Sequence, residues 1–128
     1  MDFRLVAAGG CVLLATFTTS HANELGEEVF RARCMACHAI SCNKIGPKLE
    51  GVIGRKVGSL PDFDGYSAEM QSAGFVWSKE KLDVFLADPA ATIPGTLMVS
   101  AGKLENPTDR QNLIGFLEKG DTSLDLCF

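Results

Sequence analysis

Hydrophobic positions recur with helical spacing in four segments of the chain, which predicts four helices. The segments are residues 23–38, 67–74, 78–88 and 107–120. Ser67 and Ser78 can cap the second and third helices, Thr108 or Asn106 can cap the last, and Gly120 can end it. The intervening segments are rich in glycine, proline and lysine, and no segment alternates like a strand. The predicted fold class is therefore all-α with long loops.

The first 22 residues do not fit this pattern. Arg4 lies in a short charged head, residues 5–17 are uncharged and mostly apolar, and Ser20 and Ala22 occupy the small positions of a cleavage site. This organisation predicts a secretory signal peptide over 1–22 and a mature domain over 23–128. The 13 uncharged residues are fewer than the ~20 that span a bilayer, so we expect no stable membrane insertion. A retained N-terminal anchor is the alternative.

Charge narrows the possible partners. The whole chain carries a net charge of −4, and removal of residues 1–22 takes away one basic and one acidic residue and leaves that value unchanged. An acidic protein is poorly suited to bind nucleic acid, so we expect no nucleic-acid partner. Export would place the chain in an oxidising compartment such as the periplasm, where disulfides persist.

The motif that carries chemistry is the stretch CMACH, with Cys34, Cys37 and His38. Two thiols one helical turn apart can each form a thioether to one edge of a porphyrin, and the adjoining histidine can bind the iron. A structural zinc site is an alternative that would need Cys42 and Cys127 as its second pair. A thioredoxin-like redox motif would require a neighbouring βαβ pattern, which the sequence lacks.

An electron-carrying haem needs a second axial ligand, and three methionines follow residue 22. Met35 lies between the two attachment cysteines and cannot reach the opposite face of the ring. Met70 lies in a predicted helix, where a methionine is usually part of the core. Met98 follows the loop sequence IPGT and is the preferred ligand. Histidine and methionine ligation raises the reduction potential and closes the iron to substrates.

Several further motifs, in a fixed order, make a family resemblance specific. They are CMACH, GPKLEGVIGRKVG, DGYSAEM, WSKEKLDVFLADP, IPGTLM and LIGFLEKG, and they extend over nearly all of residues 23–120. With them the chain resembles the class I cytochromes c, of the mitochondrial cytochrome c and bacterial cytochrome c2 kind. The resemblance implies a small all-α fold whose helices and long loops wrap around one covalently bound haem c.

The resemblance also implies roles for individual residues. His38 and Met98 would bind the iron, Cys34 and Cys37 the porphyrin, and the Pro47 carbonyl would accept the ring N–H of His38. Four residues would reach the haem propionates: Arg55, Tyr66, Trp77 and Thr96. Three more would pack where the terminal helices cross: Gly26, Phe30 and Phe116.

The chain departs from the family pattern beside the proposed ligand. Leu97 replaces a lysine that is common in mitochondrial members, and Ser100 stands where an aromatic residue often covers the haem face. Six lysines are candidates for a ring around the exposed haem edge: Lys44, Lys48, Lys56, Lys79, Lys81 and Lys103.

Cysteines 42 and 127 are not used by the haem motif. Two spare thiols in an oxidising compartment predict a disulfide between Cys42 and Cys127, which would tie the tail to the loop after CMACH. Two free thiols and cross-links to a partner are the alternatives.

The sequence therefore predicts a monomeric periplasmic one-electron carrier and not an enzyme. Its partners would be redox proteins, with a donor complex or dehydrogenase on one side and an oxidase or photosynthetic reaction centre on the other. One alternative is a dedicated haem c subunit of a single periplasmic dehydrogenase. Another is a gas-binding or peroxidatic haem protein with an open iron site.

Overall fold

The computed structural model describes residues 18–121 and residue 127. Helices α1 to α5 are Thr18–Arg33, Ala68–Ser72, Lys79–Ala87, Pro89–Thr92 and Pro107–Lys119, and a 3-10 turn covers Leu97–Ala101. Within the described residues there is no strand, and the β-pairing is one isolated antiparallel bridge between Lys56 and Val76. The prediction of an all-α fold with long loops is confirmed.

The helix ends follow local capping chemistry. The hydroxyl oxygen of Ser67 accepts the Met70 N–H at 3.1 Å, and that of Ser78 accepts the Lys81 N–H at 3.1 Å. Asn106, rather than Thr108, caps α5 by accepting backbone N–H groups. Gly120 ends α5 with φ +57°, a left-handed conformation that glycine adopts without strain.

Two helix boundaries differ from those predicted. Helix α1 begins at Thr18 and ends at Arg33, so the haem motif lies in turns beyond the helix and not inside it. Pro89 starts α4 instead of only ending the preceding helix, because Asp88 caps the new helix and proline at its first position has no N–H to leave unsatisfied. The predicted signal peptide lies mostly outside the described residues and remains a prediction.

The core is built on the crossing of α1 and α5. Phe30 and Phe116 are both fully buried, and their ring centroids lie 5.6 Å apart. Gly26 lets the two helices approach closely, since a Cβ at that position would lie 2.6 Å from the Phe116 Cβ. Helix α3 packs on α5 and adds Leu82 and Phe85 to the same core. This helical frame carries the loops that hold the candidate site.

None of the helices in the described part of the chain is both long enough and apolar enough to cross a membrane.

Candidate haem site

The two attachment cysteines lie in turns that continue directly from α1. The Cys34 N–H donates to the Phe30 carbonyl at 2.8 Å, and the His38 N–H donates to the Cys34 carbonyl at 2.8 Å. These bonds keep a helical path through the motif, so Cys34 and Cys37 lie about one turn apart, with both thiols half-buried and outside any disulfide. Burial raises the pKa of the Cys34 thiol to about 11, which keeps it protonated at neutral pH.

His38 is buried, with 8% of its surface exposed. Its Nδ1 lies 2.7 Å from the Pro47 carbonyl oxygen. Because a carbonyl can only accept, Nδ1 carries the proton and Nε2 keeps a lone pair for a metal. Burial also lowers the pKa of His38 below its ordinary value, which favours the neutral ring that a metal requires.

The short loop after His38 holds the imidazole and its partner Pro47 in place. A Cβ on Gly46 would lie 2.7 Å from both ring nitrogens of His38, so only glycine fits there without displacing the ring. The Asn43 side chain accepts the Lys48 N–H at 2.9 Å and donates to the Asp62 carbonyl at 2.8 Å. Asn43 was not predicted from the sequence, although an asparagine in a short polar loop is a common sign of such side-chain bonds.

Met98 lies in the 3-10 turn Leu97–Ala101, which Thr96 caps. The Thr96 side chain is almost fully buried, and its hydroxyl accepts the Met98 N–H at 3.3 Å. The Met98 side chain is half-buried and packs against the core. Met70 in α2 is also half-buried and packs against the same core, so burial alone does not choose between these two thioethers.

Two of the residues expected at the haem propionates are joined through their backbones, since the Trp77 N–H donates to the Arg55 carbonyl at 2.9 Å. Trp77 is buried and packs edge-on against Phe75, with ring centroids 5.1 Å apart. Tyr66 packs against Phe63, with ring centroids 4.9 Å apart. The Arg55 guanidinium donates to two backbone carbonyls, those of Lys48 and Glu50. Contact with haem carboxylates therefore stays a prediction for these residues.

The structure joins Cys42 to Cys127 in a disulfide across a sequence separation of 85. The Ser41 hydroxyl lies 3.3 Å from the Cys127 sulfur. The described tail residue thus lies against the loop that follows His38. This arrangement agrees with the pairing expected from the two cysteines that the haem motif does not use, and the pairing remains a prediction until thiols are counted.

The donor set fits a c-type haem. Two half-buried thiols adjoin one neutral imidazole with an available Nε2, and a methionine thioether lies on a separate loop. A zinc site would need Cys42 and Cys127 as thiolates, but the structure pairs them with each other. In the described ranges, 18–121 and 127, no three His, Cys, Asp or Glu side chains gather into a metal-binding group.

Comparison with known proteins decides the family. A family model described as Cytochrome c matches residues 23–121. The chain belongs to the cytochrome c family. It is 44% identical to "Cytochrome c type-1" of Ascaris suum over 98 residues, which cover 75% of this chain and 86% of that protein. It is 45% identical to "Cytochrome c2" of Agrobacterium tumefaciens (strain II Chrys) over 98 residues, which cover 72% of this chain and 86% of that protein.

A solved structure gives the same assignment. "Cytochrome cH from Methylobacterium extorquens" superposes with a TM-score of 0.71 and 35% identity, covering 76% of this chain and 97% of that one. The chain is a class I c-type cytochrome that carries one covalently attached haem c. Its activity is the transfer of electrons and not the turnover of a substrate.

Reduction of the Cys42–Cys127 disulfide should expose two additional thiols. We expect the count of reactive thiols in the denatured holoprotein to rise by two after reduction, because thioethers do not reduce and the Cys42–Cys127 bond does. The double variant Cys42→Ser with Cys127→Ser should lose about 2 kcal/mol of unfolding free energy relative to the oxidised protein. In reductant the two proteins should be equally stable. An unchanged thiol count would contradict the pairing.

Proposed function

We propose that this cytochrome is a soluble periplasmic one-electron carrier whose haem iron is held by His38 and Met98. When bound, the haem supplies an iron that alternates between the ferric and ferrous states. Cys34 and Cys37 would attach this haem, and His38 and Met98 would hold its iron. The protein contributes the axial ligands, the dry pocket and the docking surface.

The observation that supports this proposal most strongly is the orientation of His38. Its Nδ1 bond to Pro47 fixes the tautomer that leaves Nε2 for iron, and the buried ring cannot turn toward water. The Thr96 cap holds the Met98 turn in a defined conformation on a separate loop. A closed site with two protein ligands favours electron transfer over gas binding or peroxidatic chemistry.

Two observations support export to the periplasm. The family match begins at residue 23, directly after the predicted signal peptide over 1–22. A disulfide between Cys42 and Cys127 would persist only in an oxidising compartment. Both observations favour the periplasm, and the N-terminal sequence of the purified holoprotein would test the cleavage after Ala22.

A visible spectrum of the holoprotein tests the proposed ligation. We expect the ferrous spectrum to remain unchanged when carbon monoxide is added at neutral pH, because a ligand from outside must first displace Met98. A rapid spectral change at low carbon monoxide concentration would favour an open, gas-binding or peroxidatic iron. Protein without any haem absorption after expression with a haem-attachment system would contradict the assignment of Cys34 and Cys37.

A second candidate function is that of a dedicated haem subunit for one periplasmic dehydrogenase. Three of the six lysines expected around the haem edge are paired with carboxylates: Lys48 with Asp62, Lys79 with Glu118 and Lys103 with Asp88. Leu97 and Val99, which flank Met98, are exposed instead. A surface on which half of these lysines are paired steers a mobile carrier more weakly than six unpaired lysines would, and apolar side chains beside it suit a lasting complex. Stable co-purification with a catalytic subunit would favour this candidate.

A further inference from the structure

The guanidinium of Arg33 links the end of α1 to the backbone that follows Met98. Its Nη2 donates to the carbonyl of Ala101 at 3.4 Å and to the carbonyl of Lys103 at 3.1 Å. Gly102 lies between these carbonyls and ends the 3-10 turn with φ +74°. A Cβ on Gly102 would lie 3.8 Å from the same Nη2, so the guanidinium lies directly against the end of the Met98 turn.

The other contacts of this segment lead toward α3 and α4. The Leu104 N–H donates to the Leu86 carbonyl at 2.9 Å. The Lys103 ammonium lies 2.7 Å from the Asp88 carboxylate, which caps α4. Arg33 instead joins the segment to the last turn of α1, next to the attachment cysteine Cys34. The segment that carries Met98 is therefore held from two sides.

We propose that Arg33 is a positioning residue that keeps Met98 on the haem iron by clamping the 97–103 segment to α1. This proposal rests on the ligation proposed above. The effect of Arg33 passes through the two backbone carbonyls, and Arg33 itself is not a proposed ligand. Without the clamp, the segment should open more often and leave the iron accessible for a larger fraction of the time.

The chemistry of the bridge suits arginine in particular. Both carbonyls accept from one guanidinium nitrogen, and the planar group keeps that nitrogen directed at them. A lysine at this position has a shorter side chain that ends in a single mobile ammonium group. We therefore expect Arg33→Lys to retain part of the effect, whereas Arg33→Met keeps much of the side-chain length and loses every donor.

Helix α1 offers a matched control in Arg31. Arg31 lies in the same last turn, and its Nε contacts the Glu27 carboxylate at 2.8 Å rather than the Met98 segment. Removing Arg31 or Arg33 changes the net charge by the same amount at the same end of the helix. A difference between Arg33→Met and Arg31→Met therefore reports the clamp and not the lost charge.

Imidazole binding to the ferric holoprotein measures how often the iron becomes accessible. The apparent dissociation constant equals the intrinsic constant divided by the open fraction. We expect Arg33→Met to bind imidazole about fivefold more tightly than the wild type, the factor that corresponds to about 1 kcal/mol for the joint loss of two exposed hydrogen bonds. Arg33→Lys should fall between the two, and Arg31→Met should match the wild type. Amides of residues 97–103 should exchange faster in Arg33→Met, while those of α5 should not.

The outcomes separate this inference from the proposed function. If the wild type resists imidazole and carbon monoxide and Arg33→Met resists them equally, the clamp is overturned and the ligation stands. If Arg31→Met and Arg33→Met change imidazole binding by the same factor, the effect is one of charge and the clamp is again overturned. If the wild type itself binds imidazole readily, no methionine has to be displaced from the iron, and the ligation itself is overturned.

Discussion

Replacing Met98 with alanine should turn a closed haem iron into one that binds carbon monoxide and imidazole readily. In the proposed site the Met98 thioether would hold the iron, and alanine has no group that can replace it. We expect the apparent affinity for imidazole to rise by about 100-fold or more, since the iron no longer has to be uncovered first. The reduction potential should fall, because methionine ligation favours the ferrous state. Spectrophotometric titration and voltammetry of the holoprotein measure both quantities.

Met70 provides the control for this experiment. Like Met98, it is half-buried and packs against the core, but it lies in helix α2. We expect Met70→Ala to lower the unfolding free energy by about 2 kcal/mol as a core truncation and to leave the iron closed. If Met70→Ala opens the iron and Met98→Ala leaves it closed, Met70 and not Met98 is the ligand.

The helices were predictable because their signals are local. Ser67 and Ser78 act as N-caps as expected, and Gly120 ends α5 in the left-handed conformation. Helix α4 was missed since Pro89 serves both as a stop for one helix and as the first residue of the next. The 3-10 turn at Leu97–Ala101 was also missed, because a single short turn has too few residues to show a period.

The candidate site was predictable to the extent that its chemistry lies in short motifs. The CMACH spacing places Cys34, Cys37 and His38 together without any knowledge of the fold. The bond from His38 to Pro47 followed from the family resemblance, and the structure gives this contact a length of 2.7 Å. Arg33 was not predicted, because its partners lie 68 and 70 residues away and are backbone carbonyls, which leave no trace in the sequence.

The backbone partners of Arg55 show another limit of sequence reasoning. The family resemblance implies that Arg55 reaches a haem propionate, where a buried carboxylate needs a cation, and that contact stays a prediction. Its guanidinium has two carbonyl partners in the structure, and a carbonyl position depends on the path of the loop rather than on residue type. The disulfide was accessible to prediction for a different reason, since two spare cysteines leave one pairing within the domain over 23–128.

Replacing Gly26 with alanine should destabilise the protein by about 3 kcal/mol, a large effect for the addition of one methyl group. The new Cβ would lie 2.6 Å from the Phe116 Cβ and would also press on the Asn112 carbonyl. Neither neighbour can withdraw easily, because one is backbone and the other belongs to a fully buried residue of the core. Helices α1 and α5 would have to separate and lose contact between Phe30 and Phe116. Denaturant unfolding of the holoprotein measures the change.

Gly115 in α5 makes this a matched comparison, because the same substitution there should have the opposite sign. Gly115 is exposed, and a Cβ at that position would meet no atom within 4 Å. Alanine restricts the unfolded chain and favours a helix, so Gly115→Ala should stabilise the protein by about 0.5–1 kcal/mol. The intrinsic helix preference is the same at both positions, so the difference between the two variants isolates the clash at the crossing. Equal effects at Gly26 and Gly115 would show that the close approach of α1 and α5 contributes nothing to stability.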